Sequence, residues 1–240
     1  MAVPRNHRTL TRLAVAIAVL LAVPLLTRPW FLHWGATKGE IQGQWPGDEL
    51  SPPGAGNATR AITIYASAAQ VWPWIVQIGQ DRAGFYSYTW LENLLRCDMH
   101  TTQRIVPGWQ SLQAGDTVWM CDRARFDGRG RTIVAELIPG RALILAAPGD
   151  AEALAKAGRA PNGTWGFVLD PIDEHQTRLI MQTRGGENRG VLGSLWSWFV
   201  FDPAHFIMER GMMIGIKERA ERSAAATRQA GQPAAHNTTG

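Results

Sequence analysis

The residues with chemical capacity gather in two places. The first is the stretch Phe85 to His100, where Tyr86, Tyr88, Glu92, Asp98 and His100 lie among aromatic neighbours. Such a set can supply an acid/base pair at one end of a cavity. It also has a plainer use, in which Tyr and Asp fix a loop and cap a helix while Glu92 stays solvated. The second place is Glu209. Helical spacing puts it on one stripe with Phe206, Met213 and Ile216. A carboxylate on an apolar face must be neutralised, be paired, or be held for a ligand or a proton. Its plainer use is an ion pair with a strand arginine or in the neighbourhood of Arg210. Arg184 is a weak partner, because alternation places it with Arg178 and Gln182, opposite Leu179 and Met181. For catalysis the acid/base candidates are Glu209, His100 and Tyr86.

No nucleophile elbow, phosphate loop, zinc helix or dinucleotide fingerprint occurs. Cys97 and Cys121 fit neither a zinc spacing nor a CxxC redox pair. Two buried thiols are the simple reading, and a disulfide in an oxidising compartment is the other. No cofactor and no metal is expected. Apolar residues make up 45% of the 240, enough for one sizeable core. The eleven tryptophans point to an aromatic-lined interior or a membrane-facing surface.

The formal charge is +4, but Arg5, Arg8 and Arg12 sit in an acid-free N-terminus, leaving about +1 elsewhere. A nucleic-acid binder carries its basic excess on the folded domain, so nucleic acid is discounted. The basic residues instead precede the apolar run Leu13 to Leu26, which spans about 21 Å as a helix, and about 25 Å if it starts at Leu10 and Arg12 snorkels. Trp30, Phe31 and Trp34 suit an interfacial belt. No small-x-small cleavage site follows, which favours an uncleaved anchor over a signal peptide; a buried core helix is the third reading. The organisation read from this is a basic N-terminus (1–12), a membrane anchor (13–34), a Gly/Pro-rich linker (35–58), a domain (59–228) and a disordered tail (229–240). The basic flank predicts a cytoplasmic N-terminus and an extracytoplasmic domain in a single-pass protein, although Arg28 and Lys38 behind the run oppose that orientation.

Within the domain, Thr59–Tyr65 alternates as a strand. Ser67 with Gln70 is a capping box, opening a helix that ends at Gly79. Ser87–Leu95 forms a second short helix. Strands are expected at Thr117–Cys121, Thr132–Ile138, Ala142–Ala147, Thr164–Leu169 and Thr177–Thr183. Asp202 as cap and Pro203 at the first helical position start a long helix reaching about Arg222. Gly211 and Gly215, one turn apart in it, imply close backbone packing or space left for something else. Val191–Phe201 is either core packing or a lid or membrane-touching edge. The fold class is α+β, a curved antiparallel sheet wrapping the last helix, with a cavity between them.

Particular stretches carry a resemblance. Thr59-Arg60-Ala61-Ile62-Thr63-Ile64, Val71-Trp72-Pro73-Trp74-Ile75-Val76-Gln77-Ile78-Gly79, Gly84-Phe85-Tyr86-Ser87-Tyr88-Thr89-Trp90-Leu91-Glu92-Asn93 and His205-Phe206-Ile207-Met208-Glu209-Arg210 resemble the START-like, or SRPBCC, superfamily, in its polyketide cyclase/dehydrase-related bacterial branch. The resemblance implies the helix-grip fold and a ligand cavity. It does not choose among the carriers, receptors, cyclases and chaperone activators of that superfamily.

The reading that follows is a membrane-tethered binding domain for an apolar or amphipathic small molecule such as a lipid. Its lining is expected from Trp74, Ile78, Phe85, Tyr86, Trp90, Trp119, Trp165, Phe167, Phe206, Glu209 and Met213. The alternatives are a cyclase- or dehydratase-like enzyme in the same cavity, and an interaction module docking a membrane-protein partner.

Overall fold

The computed structural model describes residues 5–51, 57–147, 163–185 and 190–230. The tail from Gly231 lies outside them. Six strands form one sheet: β1 (Asn57–Ile64), β2 (Thr117–Trp119), β3 (Arg131–Ile138), β4 (Ala142–Ala146), β5 (Gly163–Pro171) and β6 (Thr177–Gly185). Their spatial order is β1-β6-β5-β4-β3-β2 and every pairing is antiparallel. The first strand therefore closes against the last, and the chain crosses to the far edge through α3 (Ala68–Val76) and α4 (Thr89–Leu94). Alternation along the strands divides their side chains between two faces. Leu143, Leu145, Phe167, Leu169, Leu179 and Met181 point to one core, where they meet Met212, Met213, Ile216 and Ala220 of the last helix, α6 (Asp202–Ala230). Val71, Trp74 and Ile75 of α3 seal the same core. A sheet gripping its C-terminal helix in this order is the helix-grip fold of START-like proteins.

Two local features differ from expectation. Asp202 is not an N-cap, because the chain is already helical before it, through α5 (Gly190–Trp196) and a π-helical turn at Ser197–Phe201. Its carboxylate instead accepts from Arg28 at 3.0 Å and from Ser197 Oγ at 3.0 Å. The wide π turn sits just before Pro203, which has no N–H for the helical ladder. Nor is 35–51 a free linker. Thr37 and Glu40 form a capping box on α2 (Lys38–Gln42), and Ala36, Trp45 and Leu50 cover the sheet's second face over Ala61, Ile144, Val168 and Ile180. The Gly/Pro punctuation marks tight turns rather than slack chain.

This segment is clamped by charge. Arg178 reaches both oxygens of Glu40, at 2.7 and 2.9 Å, and also donates to the Gly35 carbonyl at 2.8 Å. Burial pushes the Glu40 carboxyl up, but Arg178 and the Thr37 N–H outweigh it and hold it below its ordinary value. A lowered carboxylate stabilises the fold above its unfolded pKa, and this is lost as pH falls through the folded one. Glu40→Ala is expected to lower stability by about 3 kcal/mol near neutral pH. In urea denaturation the gap between variant and wild type should narrow on acidification below the ordinary carboxylate range; a gap independent of pH would exclude the ionised clamp as its source.

The helix α1 (Arg5–Leu32) precedes this segment. Among the described residues no helix is long and apolar enough to cross a membrane. The end of α1 is a packing element. Phe31 is buried, Arg28 pairs with Asp202, and Trp30 meets Phe206 edge-on at 5.3 Å. Further back, Leu13, Val19 and Leu26 are exposed.

Candidate functional site

A cavity of about 500 Å³ lies between the sheet, α4 and α6. The helix α6 contributes Ala204, His205, Met208, Glu209 and Met212, residues at i, i+1, i+4, i+5 and i+8 that share one helical face. The sheet contributes Trp165, which lies 5.9 Å from the Phe85 ring and 4.7 Å from that of Phe167. Leu91, Glu92, Leu94 and Leu95 close a third side, beside Cys97 and Cys121. These two cysteines are disulfide-bonded, with Cα atoms 4.3 Å apart, rather than free thiols. The bond ties the α4 end of the cavity to the segment following β2. At the rim Leu94 is 73% and Leu95 60% exposed, so the cavity opens there.

Three titratable groups face this apolar space. Glu209 is buried in an ion pair with Arg60 of β1, and its other oxygen accepts from Trp165 Nε1 at 2.8 Å. Arg60 also donates to the Phe31 carbonyl at 2.7 Å and lies over the Phe206 ring. The strand arginine thus satisfies the carboxylate, while Arg184 turns to Asp48 on the opposite face. His205 is stacked on Phe201 and edge-on to Trp165. Burial lowers its pKa; Glu209 opposes that shift and Arg60 reinforces it. The imidazole is therefore neutral at neutral pH. Glu92 is half-buried. Burial raises its pKa against the opposing hydrogen bond from Ser87 Oγ, 2.9 Å from Oε1. Its Oε2 is buried without a hydrogen-bond partner among the described residues.

The expected lining is only partly assembled here. Phe85, Trp165 and Glu209 border the cavity. Trp74, Ile78, Phe167 and Met213 are buried in the core behind it. Tyr86 is also a core residue. Its hydroxyl donates to the Trp74 carbonyl at 3.0 Å and accepts from Gln77 at 2.9 Å, and burial pushes its pKa up. Phe206 faces α1, within ring contact of Trp30, Phe31 and Trp34. Trp90 is exposed. Trp119 lies on the edge strand between the guanidinium groups of Arg123 and Arg131. His100 is exposed beside Asp98, 3.7 Å away. The acid/base set Glu209, His100 and Tyr86 is therefore not brought together.

His205, Met208 and Met212 were missed because the stripe read from the sequence was centred on Phe206 and Met213, which face α1 and the hydrophobic core, and of its members Glu209 borders the cavity. The available signal was the neighbouring helical register, running from Phe201 at the end of the π turn through His205, Met208 and Met212 of α6.

No family model and no curated protein matches the chain. Solved structures similar to it include the Aha1 dimer from Colwellia psychrerythraea, at 15% identity over 69% of this chain and 96% of that one, with a TM-score of 0.37. A polyketide-cyclase-like protein from Corynebacterium glutamicum is 16% identical over 77% of this chain and 99% of its own, at a TM-score of 0.31. A conserved protein from Geobacillus kaustophilus is 12% identical over 70% and 97%, at 0.36. Similarity at this level says nothing about function, and the fold assignment rests on the strand order and the gripped helix.

Proposed function

We propose that the protein is a non-catalytic binding domain for an apolar or amphipathic small molecule, working at a membrane surface. The observation that carries this reading is the cavity of about 500 Å³, walled by Phe85, Trp165, Met208 and Met212 and open between exposed leucines. Small-molecule sites fall in this size range, with apolar walls and few polar groups. The membrane part of the reading is supported by apolar side chains exposed at the rim and along the chain that leads into α6. Val191, Leu192 and Trp196 of α5 are exposed, as are Leu94, Leu95 and Phe201. The Arg28 guanidinium lies over Trp198 and pairs with Asp202, which sets the apolar flank of α1 beside the same edge. An exposed apolar area of this kind marks an interaction surface, and tryptophans suit the headgroup level. The Cys97–Cys121 bond fits a domain on the oxidising side of that membrane.

Uptake of the lipophilic dye N-phenyl-1-naphthylamine by the full chain in amphipol tests the binding. Saturable fluorescence is expected, with most of it abolished in Ala204→Trp, which fills the mouth. Dye already dissolved in phosphatidylcholine vesicles should transfer to the wild type several-fold faster than to Leu94→Asp. No saturable uptake by a folded chain would exclude the binding function, and equal transfer rates would exclude loading from the bilayer.

A second reading, an acid/base enzyme, is supported by Glu92, His205 and Glu209 facing one cavity in different electrostatic environments. It requires turnover that is lost in His205→Ala while dye uptake persists.

A further inference from the structure

Resting on the binding function proposed above, we infer that His205 reads the polar end of the ligand, and that this end is an uncharged hydroxyl. The imidazole stands on the cavity wall, stacked on Phe201 at 5.4 Å and edge-on to Trp165 at 6.0 Å. Those ring contacts hold its plane and use none of its hydrogen-bonding capacity. Neither ring nitrogen has a hydrogen-bond partner among the described residues, and neither is closed to a water-sized atom. The other polar side-chain atoms of the wall are committed or out of reach. Glu209 accepts from Arg60 and from Trp165 Nε1. Ser87 gives its hydrogen to Glu92 Oε1, and Glu92 Oε2 is closed to water-sized atoms.

The chemistry of the ligand's end follows from this. A neutral imidazole offers one N–H donor and one bare nitrogen acceptor, and a protonated one offers two donors. A hydroxyl both donates and accepts, so it meets whichever nitrogen faces it. An ether or ketone oxygen meets only an N–H. Charged ends fit less well. Neither lysine nor arginine borders the cavity among the described residues. The nearest strand cation, Arg60, is already committed to Glu209 and to the Phe31 carbonyl. A carboxylate would leave water for an apolar wall on which His205 alone could supply a counter-charge, and an ammonium would find no free carboxylate. The thioethers of Met120, Met208 and Met212, facing Phe85 and Trp165 across the space, adapt to apolar bodies of many shapes. Selection therefore falls on the polar end.

The test uses the full chain in amphipol, loaded with N-phenyl-1-naphthylamine and titrated at neutral pH with 1-decanol, decyl methyl ether, decanoate or decylamine. Decanol is expected to displace the dye at a concentration about fivefold below that of the ether, and below both ions. His205→Phe keeps a ring against Phe201 and Trp165 but removes the hydrogen bond. It should raise the decanol concentration about fivefold and leave the ether within about twofold of wild type. His205→Gln retains a donor and an acceptor and should keep decanol ahead of the ether. Equal displacement by decanol and ether in the wild type overturns the inference and leaves the binding function standing. So does a preference for decanol that survives in His205→Phe, a His205→Gln as indifferent to the hydroxyl as His205→Phe, or either ion displacing best. Failure of the dye and of every probe to bind a folded chain removes the binding function and this inference together. Far-ultraviolet circular dichroism of both variants establishes that folding is intact.

Discussion

Arg60→Met is expected to destabilise the folded chain by about 3–5 kcal/mol, and Glu209→Leu by a similar amount. Each change leaves one member of a buried ion pair without its counter-charge. Both side chains are almost wholly excluded from water, so solvent cannot take over from the missing partner. The loss in Arg60→Met also removes the donor to the Phe31 carbonyl and the cation over Phe206, loosening the end of α1. Glu209→Leu also leaves Trp165 Nε1 without its acceptor, on the cavity wall. The double variant should be more stable than the sum of the single losses predicts, because it removes both charges. Urea denaturation of the four proteins gives the coupling directly. Strict additivity would mean that the two groups do not depend on one another.

The second large effect concerns Gly215. A Cβ placed there would lie 2.1 Å from the Tyr86 carbonyl oxygen and 2.8 Å from the Tyr86 Cβ. Tyr86 has a φ of 58° and is held through its hydroxyl by Trp74 and Gln77, so its backbone has little freedom to retreat. Gly215→Ala is expected to cost about 3 kcal/mol, well beyond the gain of about 1 kcal/mol from helix propensity. Gly211→Ala is the contrast. Its Cβ would meet the ring of Tyr88 at 2.7 Å, and a half-buried ring can swing aside. Its net change should lie within about 1 kcal/mol. Thermal and urea unfolding of the two variants decide the matter, and equal behaviour would show that the Tyr86 carbonyl yields as easily as the Tyr88 ring.

These two glycines show how far the sequence reaches. Their spacing announced close packing or open space, and the choice between the two depended on where the Tyr86 loop comes to rest. Glu209 is similar. Its place on an apolar face was legible from spacing, and a strand arginine was among its anticipated partners. That the arginine is Arg60, 149 positions earlier, follows from β1 pairing with β6 at the sheet edge. Segment 35–51 was misread because its anchors, Arg178 and Arg184, lie far along the chain. Punctuation by Gly and Pro looks the same in a free linker and in a packed one.

Local chemistry by itself determined the strands, the capping box at Ser67, the two short helices and the existence of a long last helix, because alternation and capping act over a few residues. It also determined where the basic charge lies. Tertiary structure decided which face of α6 borders the cavity, since a stripe chosen by hydrophobicity does not distinguish packed core from open space. It decided that Cys97 and Cys121 meet, which sequence spacing could not fix. It decided, too, that Glu92 is half-buried, with one oxygen shielded from solvent and unpaired among the described residues: whether a carboxyl on a short helix is hydrated depends on what the rest of the chain lays over it.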